Sequence, residues 1–241
     1  MTASSEHSGN PPLSKVAVLI NIFAAPREAL QELKLHPSIL FPLLLIIFCN
    51  GLILAWYFSI VDFEWYIDDV LSTANIAEEN LEEARENFES MSRNTMMGFS
   101  LLGSVVGLSA IFLVQAVYLS LVAALRGDRF KFRHWFSLVC WASAPILLSV
   151  IGMAVTILLS PNGQLSAYDL DPLTLRNLGM ATDNATLQSL YNSISLAMIW
   201  SVVIILLGYR QWLETSWPRA SVTVLAPYLI IVGVWAFLAF S

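Results

Sequence analysis

The chain has 241 residues, of which 57% are hydrophobic and only 12% are charged, and its mean hydropathy is +0.68. Soluble domains carry about 25% charged residues, so half that proportion cannot cover a water-soluble globule of this size. The composition therefore excludes a soluble fold and predicts an integral membrane protein. The net charge of −6 is local, because ten of the 18 acidic residues lie between Asp62 and Glu89.

Residues 1–38 form a segment that we expect to stay on one face of the membrane. Its apolar run, residues 16–25, has ten residues and is too short to cross a bilayer, which takes about 20. Pro26 suits the first position of a following helix, and Pro37 ends that helix. The segment is therefore predicted to form two short amphipathic helices in the membrane interface.

Residues 39–241 are predicted to be a transmembrane domain. Five stretches can span a hydrocarbon core about 30 Å thick, and none has a charged residue away from its edges. They are residues 39–60, 98–125, 137–160, 191–208 and 220–240. The predicted fold class is an all-α polytopic membrane protein with five transmembrane helices.

Between the first two spans, Ala77, Leu81, Ala84, Phe88 and Met91 recur at helical spacing. The pattern predicts an acidic helix over residues 76–93 that continues into the second span. Its glutamates lack the alternating spacing of a calcium loop, so a solvated face is favoured over a divalent cation site.

Lys and Arg are divided unevenly between the two ends of the spans. Nine of the 12 lie on the side of the N-terminus, and Arg85, Arg93 and Arg176 lie on the other. The positive-inside rule then predicts a cytosolic N-terminus, an extracytoplasmic C-terminus and an extracytoplasmic acidic helix. The tryptophans at 135, 212 and 217 fit an interfacial aromatic belt.

Few residues within the spans are polar. Asn50 and Gln115 are candidate intramembrane polar residues, and helix-to-helix hydrogen bonding is favoured over a solute path for both. Gly103 and Gly107 make a small-xxx-small pattern that favours packing within the monomer over a dimer face. Pro145 is a further candidate for helix packing and predicts a kink in the third span.

No residue pattern supports catalysis, a cofactor or a metal. The histidines at 7, 36 and 134 are not at metal-ligand spacing. Hydrolase, protease and phosphate-loop motifs are absent. We expect a protein that is not an enzyme and that has no cofactor.

The loop between the second and third spans is basic. Arg126, Arg129, Lys131 and Arg133 fall within eight residues and alternate with Phe130, Phe132 and Trp135. Such a loop can hold anionic lipid headgroups or a partner, with the rings in the interface. It can equally serve only as a topology signal, and the sequence favours neither.

Several short motifs resemble those of the Yip family, five-span membrane proteins whose eukaryotic members interact with Rab GTPases. The motifs are residues 22–26 (IFAAP) with Pro37, 41–45 (FPLLL), 127–133 (GDRFKFR), Ala144-Pro145, Ile199-Trp200 and Leu207-Gly208. The resemblance implies five spans over most of the chain. It is closest to the short bacterial branch, which implies the bacterial cytoplasmic (inner) membrane and does not imply Rab binding.

Two functions remain open. The first is a non-enzymatic membrane organiser or adaptor that binds lipid or a partner protein through its cytosolic face. The alternative is a small channel or transporter for an unidentified solute, with Asn50 and Gln115 on its path. We expect membrane lipids as partners, no nucleic acid, and an oligomeric state that stays open.

Overall fold

The computed structural model describes residues 12–73, 78–160, 162–180 and 182–240. In this part of the chain there are eleven helices. They are α1 (Lys15–Ala24), α2 (Pro26–Leu35), α3 (Leu40–Ile60), α4 (Phe63–Thr73), α5 (Glu78–Glu89), α6 (Arg93–Leu125), α7 (Phe132–Ala142), α8 (Ile146–Leu158), α9 (Ala185–Ser193), α10 (Leu196–Leu213) and α11 (Trp217–Phe240).

Five helical segments are long and apolar enough to cross a membrane. They are α3, α6, the α7–α8 pair, α10 and α11. Large apolar side chains on them face outward, including Phe99, Val114 and Leu229, which are each about two-thirds exposed. Water does not favour such a surface, whereas lipid does. The predicted fold class, an all-α polytopic membrane protein, is confirmed.

The fourth spanning helix lies five residues further along the chain than predicted, at Leu196–Leu213 instead of 191–208. Residues 191–193 belong to α9, and the chain leaves helical geometry at Ile194. The Ser195 side chain then accepts a hydrogen bond from the Met198 N–H and starts α10.

The acidic helix does not continue into the second span, contrary to the sequence prediction. α5 ends at Glu89, and α6 starts at Arg93 after the Ser92 side chain accepts from the Thr95 N–H. Ala77, which began the predicted stripe, lies outside the described residues.

The third span is two helices instead of one. α7 ends at Ala142, where the Ser143 hydroxyl donates to the Val139 carbonyl at 2.9 Å, and buried Pro145 precedes α8. Proline has no N–H to continue the helical ladder, so the break falls there. α7 is the centre of the larger core, with residues 137–142 wholly buried.

The two ends of the bundle differ in charge. The basic end comprises α1, α2, the α6–α7 loop at residues 126–131 and the α10–α11 turn at residues 214–216. The acidic end comprises α4, α5, the α8–α9 loop and α9. Each end has its own hydrophobic cluster.

Candidate functional site

The basic end is built on a helix pair that folds back against the bundle. α2 buries Ala29, Leu30 and Leu33 completely or almost completely against α7 and α10. The Trp212 indole N–H donates to the Leu30 carbonyl at 2.8 Å. These contacts hold α2 rigidly on the spanning helices.

A second link joins the start of the first span to α7. The Ser38 N–H donates to the Ser137 hydroxyl, and that hydroxyl donates back to the Ser38 carbonyl, both at 3.0 Å. The Trp141 indole N–H donates to the same carbonyl at 2.9 Å. Buried polar groups are thus paired where α2 passes into α3.

The aromatic residues of this end lie in the core instead of forming an interfacial belt. Trp135 is 0% exposed and Trp212 is 3% exposed, with ring centroids 5.6 Å apart. Phe130 packs on both indoles. The expectation that these rings enter the membrane interface is wrong for Trp135 and Trp212, because their mutual contacts bury them. Phe132 and Trp217 are 40% and 45% exposed.

The four basic residues of the loop and of the first turn of α7 are all exposed, and two of them, Arg126 and Arg133, are held by side-chain hydrogen bonds. Arg126 donates to the Tyr209 hydroxyl at 3.0 Å and to the Thr223 hydroxyl at 2.8 Å. Arg129, Lys131 and Arg133 are exposed, and none forms an ion pair with an acid in the described residues. Arg133 donates only to a backbone carbonyl, that of Pro37, at 2.8 Å.

Arg126 lines a cleft of about 720 Å³ between the α6–α7 loop and the α10–α11 turn. The cleft is lined by Arg126, Asp128, Trp212, Glu214, Thr215 and Arg219. It therefore brings together two guanidinium groups and two carboxylates. The sequence prediction identified Arg126 alone among these four charged residues.

Backbone geometry fixes both carboxylates in the cleft. Gly127 has φ +81°, its N–H bonds the Ala124 carbonyl, and the Asp128 N–H bonds the Ala123 carbonyl. This Schellman ending of α6 needs a left-handed residue, which glycine supplies without strain. Glu214 ends α10 in the same region, with φ 49°. In the sequence, Asp128 and Glu214 could have been noticed as charged residues that follow the ends of the second and fourth spans.

The two intramembrane polar residues lie in different places. The Asn50 side-chain oxygen on α3 accepts from the Ser104 hydroxyl on α6 at 2.8 Å. Gln115 lines an apolar groove of about 370 Å³ between α6, α10 and α11 and makes no side-chain hydrogen bond to a described residue. The structure therefore does not bring Asn50 and Gln115 together on one path.

The Yip1 domain family matches residues 20–238, which is nearly the whole chain. The chain belongs to the Yip family. No curated protein and no solved structure matches it.

In this Yip-family chain, the candidate packing glycines have open space beside them. A Cβ atom built on Gly103 or Gly107 would meet no atom within 4 Å. Neither residue therefore makes a close helix approach among the described residues, and the choice between packing within the monomer and a dimer face stays a prediction. The close helix approach occurs at Gly208, where an added Cβ would lie 2.5 Å from Leu138 Cδ1 and 3.0 Å from Leu30 Cδ2.

The acidic end of the Yip domain has a separate cavity of about 370 Å³, lined by Asn50, Tyr57, Tyr66, Asp171 and Asn192 among others. Burial raises the pKa of Tyr66, with a smaller contribution from Asp69, so this phenol stays protonated. The Asn192 side-chain oxygen is buried and has no hydrogen-bond partner among the described residues.

Proposed function

We propose that this Yip-family protein is a non-enzymatic membrane organiser or adaptor, and that its basic end binds anionic lipid headgroups. The observation that carries the proposal is the exposure of Arg129, Lys131 and Arg133, none of which has an acidic partner among the described residues. They lie on the loop and on the first turn of α7, next to the Phe130–Trp135–Trp212 ring contacts. Basic residues near an anionic leaflet contribute about 1 kcal/mol each.

The outer face of α1 supports the same proposal. Val16 and Ile20 are nearly 60% exposed and Phe23 is 37% exposed, whereas Val18 and Ile22 on the opposite face are buried. An interfacial helix buries one apolar face in protein and the other among lipid headgroups and acyl chains. α1 thus fits a helix that lies in the leaflet whose surface the basic loop contacts.

The proposed orientation places the basic end in the cytosol, at the bacterial inner membrane. The fold gathers the nine Lys and Arg residues of the N-terminal side at or near the basic end, and this grouping supports the orientation. In a Cys-free background, Ser90→Cys and Gln164→Cys should react with an impermeant maleimide in intact cells. Ser216→Cys should react only after permeabilisation. All three positions are exposed, so the reverse pattern would contradict the orientation.

The lipid proposal is tested with the triple variant Arg129→Gln, Lys131→Gln and Arg133→Gln. Purified protein should retain several-fold less phosphatidylglycerol than the wild type, and the deficit should shrink as salt rises, because salt screens these charges. Arg85→Gln at the acidic end is the control and should retain the wild-type amount. Unchanged lipid retention by the triple variant at every salt concentration would show that the loop serves only as a topology signal.

The cavity at the acidic end favours one second candidate, a channel or transporter for a small neutral solute. Its polar lining includes Asn50 and the unpartnered oxygen of Asn192. None of the five spanning segments contains Asp or Glu, so uptake should not depend on a pH gradient through a buried carboxylate. Flux of neutral solutes into proteoliposomes, lost in Asn50→Leu, would favour this candidate over the adaptor.

A further inference from the structure

The charged side chains that line the cleft at the basic end are not paired with one another. Arg126, Arg219, Asp128 and Glu214 line the same space, yet no ion pair joins any of them in the described part of the chain. The Oδ2 atom of Asp128 is buried and accepts no hydrogen bond from any residue that the structure describes. A buried carboxylate oxygen without a donor is costly, so a donor supplied by a bound molecule would stabilise it.

The guanidinium groups have free donors as well. Arg126 uses two of its five N–H groups, on Tyr209 and Thr223. The Arg219 side chain makes no hydrogen bond or ion pair to the residues the structure describes, and it is exposed. Arginine donors match phosphate oxygens well. The cleft therefore offers donors for a phosphate and an acceptor for a cation within one space of net charge zero.

An apolar groove lies between α6, α10 and α11, the helices whose ends border the cleft. It is lined by Ile111, Val114, Tyr118, Val224, Pro227 and Ile231. From Arg126 to Ile111 the helix rises by about 22 Å at 1.5 Å per residue, which is long enough for much of an acyl chain. The groove and the cleft thus match the tail and the headgroup of one lipid.

The boundary between the cleft and the groove is held by a short hydrogen-bond chain. The Tyr118 hydroxyl donates to the Thr223 carbonyl at 2.8 Å, and the Thr223 hydroxyl accepts from Arg126. Thr223 lies four residues before Pro227, which has no N–H for that carbonyl. These hydrogen bonds therefore hold Arg126 next to the groove that Pro227 helps to form.

We propose that this site binds a phospholipid with a primary ammonium headgroup, phosphatidylethanolamine. The phosphate pairs with Arg126 and Arg219, the ammonium donates to Asp128 and Glu214, and an acyl chain lies in the groove. A choline headgroup carries no N–H and cannot satisfy Asp128 Oδ2, and a purely anionic headgroup meets two carboxylates. The inference rests on the proposed function only in placing the basic end at the lipid interface.

The test is native mass spectrometry of the full chain after incubation with equal amounts of phosphatidylethanolamine, phosphatidylcholine and phosphatidylglycerol of the same acyl composition. The wild type should retain phosphatidylethanolamine about tenfold over phosphatidylcholine, which corresponds to ~1.4 kcal/mol. The variant Asp128→Asn with Glu214→Asn should bring that ratio close to one. Asparagine keeps the shape of Asp128 and tolerates the left-handed conformation of Glu214. Glu28→Gln, an exposed carboxylate change elsewhere at the basic end, should leave the ratio unchanged.

The groove is tested separately. Val114→Trp adds a ring to the groove and should lower phosphatidylethanolamine retention several-fold, whereas Val117→Trp on the same helix, outside the groove, should not. Both valines are exposed, so neither change disturbs the core. Free glycerophosphoethanolamine should displace little lipid, and complete displacement at equal concentration would overturn the role of the groove.

A wild type without preference for phosphatidylethanolamine over phosphatidylcholine would overturn the inference. So would an Asp128→Asn, Glu214→Asn variant that keeps the preference while its unfolding midpoint matches the wild type. Either result leaves the proposed function intact if the Arg129, Lys131 and Arg133 variant still loses phosphatidylglycerol. If the wild type itself does not bind phosphatidylglycerol in a salt-sensitive way, the proposed function is contradicted instead.

Discussion

The protein carries two pairs of short helices outside its spans, and they are attached in opposite ways. α2 of the α1–α2 pair contributes three residues to the main core and receives the Trp212 hydrogen bond. α5 of the α4–α5 pair has no buried side chain in its described part. It is joined to α4 by the exposed ion pair of Arg85 and Asp68, at 2.7 Å. Fully buried side chains therefore attach the basic end, whereas surface charges and one partly buried ring, that of Phe88, attach α5.

The largest expected effect is the loss of the Trp212 side chain. Trp212→Ala removes a buried indole and leaves the Leu30 carbonyl without its donor, so it should lower the free energy of unfolding by about 3–5 kcal/mol. Leu81→Ala on α5, where the leucine is 40% exposed, should change it by less than about 0.5 kcal/mol. Unfolding in detergent followed by circular dichroism measures both. Equal effects would contradict the contrast between the two helix pairs.

A buried glycine, Gly208, and an exposed one, Gly103, should differ less in their effects on stability. Gly208→Ala forces a methyl group against Leu138 and Leu30, which are wholly buried, and should destabilise the protein by about 1–3 kcal/mol. Gly103→Ala meets open space and should stabilise α6 by about 0.5–1 kcal/mol. Thermal unfolding curves in one detergent compare them. Destabilisation by Gly103→Ala would show that a second molecule covers that face.

Loss of the hydrogen bond from Tyr118 to the Thr223 carbonyl should have an intermediate effect on the free energy of unfolding. Tyr118→Phe leaves the Thr223 carbonyl without a donor and should cost about 1–3 kcal/mol. In a Pro227→Ala background the restored backbone N–H can satisfy the same carbonyl, so the cost of Tyr118→Phe should fall. A double-mutant cycle measures the difference. Equal costs in both backgrounds would show that the hydroxyl does not substitute for the missing N–H.

The smallest expected effect is at the acidic end. Hydrogen bonds to Asp68 and Glu89 raise the pKa of Arg85, yet all three side chains are exposed to water. Arg85→Gln should leave the unfolding midpoint unchanged, because exposed ion pairs contribute little. A clear fall in the midpoint would show that α5 is held more firmly than its contacts indicate.

Hydropathy and proline positions were sufficient to predict the fold class and the two N-terminal helices. The five-residue error in the fourth span arose because none of residues 191–195 is charged, although Ser195 was a recognisable N-cap. Pro145 indicated a kink, but the sequence did not show that the helix breaks at that point.

The candidate site was predicted less completely, because it depends on tertiary contacts. The alternation of basic and aromatic residues in the α6–α7 loop was visible, but the burial of Trp135 depends on Tyr209 and Trp212, more than 70 positions away. Glu214 and Arg219 line the same cleft as Arg126 although they lie more than 80 positions away in the chain. Gly103 and Gly107 matched a packing motif, but a motif does not identify which helix face is covered.

Hydrogen–deuterium exchange in nanodiscs tests most directly whether the basic end is the lipid-binding end. Amides of the α6–α7 loop, residues 127–131, lie outside regular helix and α5 is exposed, so exchange at both ends is measurable in one molecule. Replacing part of the phosphatidylcholine by phosphatidylglycerol should slow exchange several-fold in the loop and leave α5 unchanged. Unchanged exchange in the loop, or slowing confined to α5, would contradict the account.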